Sequence, residues 1–418
     1  MSKFYIIDGG KRLEGTTYVS GSKNAALPII ASTILNKGIN KLYNVPNIQD
    51  TKIMLEILEK MGCKIKRKCD KLVIDSRNVN KHEIPEKLMN KMRSSVIIAG
   101  ALLARSKKSV FTHPGGCDIG LRPIDLHMKA FEKLGVVVKE ENGMVVCETN
   151  KIIGTDINLD FPSVGATENI MLVSVLGEGI TRINNAAMEP EIIDLQNALN
   201  SMGAKISGAG TNNITVEGVK KLNELNYNII PDRIEAGTLL CAAAITGGNI
   251  ILKKVIPEHI KTLIDKLTEM GCEIKVNKNE IKLNAPKKLK SVDIKTLPYP
   301  GFPTDLQSII GALLTVAKGT SIIVENIFEN RYRYLNELNK MGAKVTIEGR
   351  TAVIKGVKRL NKANVVATDL RGGAALIIGA LNAKGRTYIE NVEYILRGYE
   401  DLDIKLRNIG ASIYIKEG

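Results

Sequence analysis

Apolar positions along this chain follow a helical rhythm of three and four that gives way, six times, to the alternation of a strand. Each change falls at a hydrophobic–glycine pair. The six copies read LEKMGCKI, FEKLGVVV, LNSMGAKI, LTEMGCEI, LNKMGAKV and LRNIGASI, ending at Ile65, Val138, Ile206, Ile274, Val345 and Ile413. Their glycines, Gly62, Gly135, Gly203, Gly271, Gly342 and Gly410, are spaced by 73, 68, 68, 71 and 68 residues. A period near seventy exceeds that of the common helical and leucine-rich solenoids and is long enough for a small α/β subdomain.

Within each copy the same elements recur. In the third, SVGATENIMLVSVLGEG predicts an apolar helix, ITRINNA a strand and EPEIIDLQNALNSMG a second, amphipathic helix, followed by strands in AKISGAG and NNITVEGV. The fifth repeats the order with TDLQSIIGALLTVAKG, TSIIVEN, NRYRYLNELNKMG, AKVTIEG and TAVIKGV. Ile193, Leu195, Leu199 and Met202 are expected to put one face of the second helix in the core. The glycine after each second helix fits a left-handed cap, where a Cβ is penalised. These glycines shape the fold and carry no chemistry.

Chemistry is expected where each first helix begins. Those starts carry Lys23, Arg93, Gly165, Arg233, Asp305 and Arg371, each 37 to 42 residues before its capping glycine. A chain of 418 residues exceeds one core, so two domains of about two hundred residues, three repeats each, are expected. Two sets of helix N-termini would then face a cleft between them. Exposed N–H groups and a partial positive charge suit phosphate or carboxylate there, and four of the six starts add Lys or Arg.

The charge balance agrees: 59 Lys and Arg against 44 Asp and Glu give +15, which favours anionic partners. Nucleic acid is not the expected partner, because no helix-turn-helix, zinc-finger or RNP pattern occurs and Trp is absent. No signal peptide precedes the first strand, and the apolar run from Val96 to Ala104 is too short to span a bilayer. Six cysteines without zinc-ligand spacing and only four histidines predict reduced thiols, a cytoplasmic protein and no metal site. The absence of a Walker loop, a nucleotide-type GxGxxG and HExxH leaves ATP- and metal-driven chemistry unsupported.

Cys117 lies in HPGGCDIGLRPIDLH, residues 113–127, where three glycines and two prolines predict a long loop and a candidate lid. His113, Arg122 and His127 would lower its thiol pKa or pair with an anion, while Asp118 opposes this. Cys63, Cys147, Cys241 and Cys272 sit on apolar-patterned elements and are expected to be inert. In PGFPTDLQS, Asp305 or Thr304 is either a helix cap or, for Asp305, a carboxylate that deprotonates or orients a sugar hydroxyl. Arg331 and Arg397 open the second helices of the fifth and sixth copies and, with Arg371-Gly372-Gly373, supply guanidiniums for bidentate anion contacts. Lys23-Asn24, after Gly21-Ser22, is the matching feature of the N-terminal half.

These stretches resemble the bacterial UDP-N-acetylglucosamine 1-carboxyvinyltransferases. The likeness covers SGSKNAALP, MRSS, GGCDIGLRPIDLH, PSVGATENIM, EPEIIDL, PDRIEAGT, FPTDLQ, ENIFENR, ATDLRGGAAL and RGYE, from Ile7 to the final strand. The sister shikimate 3-phosphate transferases share the six-unit fold but do not typically have the Gly-Gly-Cys loop. The resemblance implies two inverse α/β barrel domains, each of three βαβαββ units, with the active site in the cleft between them. Residues 21–230 would form one domain, and 1–20 with 231–418 the other. It implies transfer of enolpyruvyl from phosphoenolpyruvate to the sugar 3-hydroxyl by addition and elimination, the first committed step of peptidoglycan synthesis, with no cofactor. Cys117 would protonate the methylene carbon and be the thiol alkylated by fosfomycin, and Asp305 would sit at the 3-hydroxyl. Lys23, Asn24, Arg122 and Arg397 match groups that hold phosphoenolpyruvate or steer closure. Arg93, Arg122, Pro123, Ile124, Asp125, Leu126, Ser163, Val164, Gly165, Asp305 and Ile327 match contacts to the nucleotide sugar. Glu189, Arg331, Asp369 and Arg371 match further polar groups of the cleft. Phe161-Pro162 replaces a Lys-Val pair, and Met188 an arginine, found in other members.

Overall fold

The first helix of each repeat is apolar or small on every side, so the core can close around it completely. In the computed structural model, which describes residues 3–68, 70–115 and 124–417, this is what happens. All thirteen residues of Arg233–Ile245 are buried, as are all of Leu370–Asn382 except the last. The described residues divide into two units, 3–20 with 231–417 and 21–115 with 124–230.

In the unit of residues 21–230, helix Ile97–Ser106 packs against both Lys23–Ser32 and Val164–Ser174. Gly100 permits the second contact, since a Cβ there would lie 2.4 Å from Asn169 Oδ1. In the other unit, Arg233–Ile245, Gln307–Leu314 and Leu370–Asn382 touch one another pairwise. Around each trio stand sheets whose strands alternate inward and outward, as Thr181 and Ile183 are buried while Ile180 and Arg182 are exposed. Helices therefore lie inside and sheets outside.

The third repeat shows the βαβαββ order: strand Asp156–Asn158, helix Val164–Ser174, strand Ile180–Asn184, helix Pro190–Ser201, then Lys205–Ser207 and Asn213–Glu217. Ile183 pairs with Ile157 in parallel and with Ile214 antiparallel. The sixth repeat supplies one strand after its glycine, Ser412–Glu417. Lys3–Asp8 fills the second place, antiparallel to both it and Arg386–Glu390. Glu14–Tyr18 runs parallel to Asn249–Lys253 and completes the fourth repeat's sheet. These two pairings commit the N-terminal segment to the unit that holds residues 231–417.

All six repeat glycines adopt positive φ, from +86° to +110°. Each lets the chain leave the second helix and turn directly into a strand. At Gly271 there is room for a methyl group, its nearest neighbour being Pro286 at 3.6 Å, so Gly271→Ala should cost only the left-handed backbone term, about 1–2 kcal/mol. At Gly62 a Cβ would also meet the Asn78 carbonyl oxygen at 2.4 Å. Thermal unfolding should place Gly62→Ala below Gly271→Ala, and both below wild type. A Gly62→Ala protein that melts with wild type would contradict the assignment.

Candidate active site

Pro303 precedes the one-turn 3-10 helix Thr304–Leu306 and leads into Gln307–Leu314, with no side chain capping either start. The capping role considered for Thr304 and Asp305 is therefore excluded, and the Asp305 carboxylate is used otherwise. Arg331 Nη2 donates to its Oδ1 at 2.8 Å and Arg371 Nη2 to its Oδ2 at 3.2 Å. The two arginine side chains are 3% and 5% exposed and the Asp305 side chain 28%, so the cations are sequestered while the anion stays partly exposed. Two guanidiniums thus hold the carboxylate by both of its oxygens.

Each cation is itself supported. Arg331 Cζ lies 5.4 Å from the centre of the Phe328 ring, and Arg371 Cζ 5.2 Å from that of Tyr399. The Tyr399 hydroxyl is in turn 2.9 Å from Thr238 Oγ1. Burial works against the charged form of Arg371, but Tyr399, Asp305 and Asp232 outweigh it and push its pKa up. Asp369 serves chiefly as the cap of the helix that begins at Leu370, accepting from Arg371 N at 3.0 Å and Gly372 N at 2.9 Å. Its carboxylate thus fixes the backbone from which Arg371 projects.

Arg397 departs from expectation. It does not open the sixth repeat's second helix but follows the short helix Val392–Leu396, and the second helix proper is Leu402–Asn408. The reason lies in the intervening residues. Gly398 packs so closely on Leu370 that a Cβ would lie 2.5 Å from it, and Tyr399 is buried against Arg371. Arg331 likewise stands two residues ahead of helix Arg333–Lys340.

In the unit of residues 21–230, Lys23 is the first residue of its helix, capped by Ser22, whose Oγ accepts from Ala25 N at 3.3 Å. Lys23 Nζ is 2.8 Å from the buried Asp50, a partner the sequence pattern did not single out. Asn24 follows, half-buried, and Arg93 is the half-buried first residue of 3-10 helix Arg93–Val96. Ser163 caps helix Val164–Ser174 by accepting from Ala166 N at 3.3 Å, and Val164 and Gly165 form its first turn. A Cβ at Gly165 would lie 3.3 Å from the His127 ring. Ile124 is buried, Asp125 opens helix Asp125–Lys133 on the surface, Leu126 is half-buried, and Glu189 immediately precedes helix Pro190–Ser201.

The structure thus gathers Asp305, Arg331 and Arg371 in one cluster with Asp369 at its base. Lys23, Asn24, Arg93, Ile124, Asp125, Leu126, Ser163, Val164, Gly165 and Glu189 belong to the other unit. Cys117, Arg122 and Pro123 lie outside the described residues. The two histidines that flank that loop each have a polar partner. His113 Nε2 is 3.2 Å from Glu140 Oε1 on the surface. His127 is buried, with Nδ1 2.8 Å from Asn169 Nδ2. Because Asn169 Oδ1 accepts from Gly100 N, its amide nitrogen donates, which makes His127 Nδ1 the acceptor.

Comparison with known proteins places this geometry. The family described as EPSP synthase (3-phosphoshikimate 1-carboxyvinyltransferase) matches residues 7–406. UDP-N-acetylglucosamine 1-carboxyvinyltransferase 2 of Caldanaerobacter subterraneus subsp. tengcongensis is 55% identical over 99% of both chains. The UDP-N-acetylglucosamine 1-carboxyvinyltransferase of Clostridium botulinum is 48% identical, again over 99% of each. Among solved structures, the enolpyruvyl transferase NikO from Streptomyces tendae superposes with a TM-score of 0.90 at 23% identity, covering 100% of this chain and 99% of its own. EPSP synthase from Acinetobacter baumannii gives 0.76 at 18% identity over 100% of both. At these identities the two structures speak for the fold.

The four described cysteines are all buried. Desolvation pushes the thiols of Cys63, Cys147 and Cys272 up to about 12 and raises that of Cys241 as well. A raised thiol pKa keeps sulfur protonated, and hence unreactive, at every pH below it. Brief alkylation of the native protein at pH 7.5, read by peptide mass spectrometry, should leave these four unmodified, while unfolding should expose them all. Native labelling at any of the four would contradict this.

Proposed function

The chain belongs to the EPSP synthase family of enolpyruvyl transferases and, within it, to the UDP-N-acetylglucosamine 1-carboxyvinyltransferases, and from that membership we propose how its residues carry the reaction. It is a transferase that moves the enolpyruvyl group of phosphoenolpyruvate to the 3-hydroxyl of UDP-N-acetylglucosamine and releases phosphate, in peptidoglycan synthesis. The observation that supports Asp305 as the residue at the reacting hydroxyl is its two-arginine clamp on a side chain that stays partly exposed.

Addition forms a bond from the sugar oxygen to C2 of phosphoenolpyruvate while C3 gains a proton, giving a tetrahedral ketal. Elimination removes a proton from C3, re-forms the double bond and expels phosphate. An acid and a base are needed on opposite sides of the same pair of substrates. We assign Cys117 as the acid at C3 and Asp305 as the group that takes or directs the hydroxyl proton. Held by Arg331 and Arg371, Asp305 is a weak base in a fixed place, so its strength is directional: it presents one carboxylate edge to one hydroxyl. Lys23, Asn24, Arg122 and Arg397 hold phosphoenolpyruvate, whose carboxylate and phosphate call for cationic partners. Arg93, Arg122 to Leu126, Ser163 to Gly165, Glu189 and Ile327 contact the nucleotide sugar. We place the enzyme in the cytoplasm, where a reducing milieu keeps Cys117 as a thiol. Among the described residues no helix is long and apolar enough to cross a membrane. The domains are assigned as residues 21–230 and 1–20 with 231–418.

Incubation with phosphoenolpyruvate and either UDP-N-acetylglucosamine or shikimate 3-phosphate, followed by assay of free phosphate, tests the substrate. Release is expected with the nucleotide sugar, and release only with the shikimate ester would overturn the reading. Cys117→Asp should keep substantial turnover, since a carboxylic acid can still deliver a proton, and should resist fosfomycin, since no thiolate remains to be alkylated. Covalent labelling of that variant at position 117 would refute the role.

A further inference from the structure

Glu325 opens the ENIFENR stretch, directly after strand Thr320–Val324, and is completely buried. Its Oε1 accepts from Thr296 Oγ1 at 2.9 Å, Ile327 N at 2.8 Å and Phe328 N at 3.2 Å. Its Oε2 accepts from Thr304 Oγ1 at 2.9 Å. All four donors are neutral. A carboxylate is acceptor-only with about four lone-pair sites, and the four donors engage both of its oxygens, three at Oε1 and one at Oε2. Burying such an anion is tolerable only when those sites are filled with good geometry.

The elements joined in this way are those that build the candidate site. Thr304 is the residue before Asp305 in the 3-10 turn. Ile327 is the proposed contact to the nucleotide sugar. The Phe328 ring carries the guanidinium of Arg331, which grips Asp305 at 2.8 Å. We propose that Glu325 is a positioning residue of the transfer reaction: its carboxylate ties the Asp305 turn to the Ile327–Phe328 loop, setting the carboxylate, its arginine and the sugar contact in one register. This rests on the role given to Asp305 above. The residues assigned to phosphoenolpyruvate stand on other elements, with Lys23 and Asn24 on helix Lys23–Ser32 and Arg397 after helix Val392–Leu396. Disturbing Glu325 should therefore harm turnover and nucleotide-sugar binding while sparing phosphoenolpyruvate.

Substitutions can separate the two halves of this link. In Glu325→Gln the amide oxygen can retain the three Oε1 bonds, and the Thr304 hydroxyl can reverse to accept from the amide nitrogen. Glu325→Ala removes everything. Thr304→Val cuts only the tie to the Asp305 turn. Steady-state kinetics of full-length wild type and the three variants, each checked for a cooperative thermal transition, provides the test. For Glu325→Ala, kcat should fall about 100-fold and KM for UDP-N-acetylglucosamine rise about 10-fold, with KM for phosphoenolpyruvate unchanged. Glu325→Gln should recover kcat to within about 10-fold of wild type. Thr304→Val should lose about 10-fold in kcat with both KM values near wild type. Should Glu325→Ala not fold, Thr304→Val decides the matter alone. Folded variants with wild-type kcat, equal rises in both KM values, or a glutamine variant no better than alanine would overturn the inference. A wild-type protein that releases no phosphate would instead remove the functional reading on which it rests.

Discussion

Arg331 and Arg371 carry their charges almost wholly out of water, and the arrangement holds because Asp305 lies between them. Removing one partner from a buried ion pair commonly costs about 3–5 kcal/mol, because the other is left charged in a poor solvent. Three separate elements must therefore keep their places: the 3-10 turn with Asp305, the loop before helix Arg333–Lys340, and the first turn of Leu370–Asn382. The aromatic supports and the Asp369 cap serve the same end. Asp305 is the exposed end of an otherwise buried polar network, which gives a single carboxylate edge a defined direction.

This network sits where the repeat makes room for it. Each repeat buries the middle of its first helix, so polar groups can be offered only at the ends of that helix. Asp305 and Arg371 occupy corresponding starts in two repeats of one unit, and the packing of their helices brings the two side chains to 3.2 Å. In the other unit the corresponding starts have different local partners. Lys23 meets Asp50, and Gly165 leaves space for His127. One repeated framework thus gives these four starts, Lys23, Gly165, Asp305 and Arg371, different neighbours.

Much of this was legible along the chain. The six glycines announced their left-handed caps, the helix–strand–helix–strand–strand order followed from periodicity, and the first-helix starts pointed to Asp305 and Arg371. What could not be read were effects that depend on through-space partners. Nothing in ENIFENR distinguishes Glu325 from a solvated glutamate until Thr296 and Thr304 are seen facing it. Asp50 looks like an ordinary first-turn acid until Lys23 is found beside it. ILRGYEDL reads as the opening of the sixth repeat's second helix, yet that helix begins at Leu402, with Gly398 and Tyr399 tightly packed before it. Asp369 caps the helix from which Arg371 projects, a contact that becomes visible only in the fold.

The most direct measurement is a crystal structure of the enzyme with UDP-N-acetylglucosamine and an unreactive phosphoenolpyruvate analogue bound together. The account predicts an Asp305 carboxylate oxygen about 3 Å from the sugar 3-hydroxyl, still gripped by Arg331 and Arg371, with the Cys117 sulfur on the far side of the analogue's methylene carbon. A complex in which the 3-hydroxyl is bound by another group, with Asp305 remote from both ligands, would contradict it.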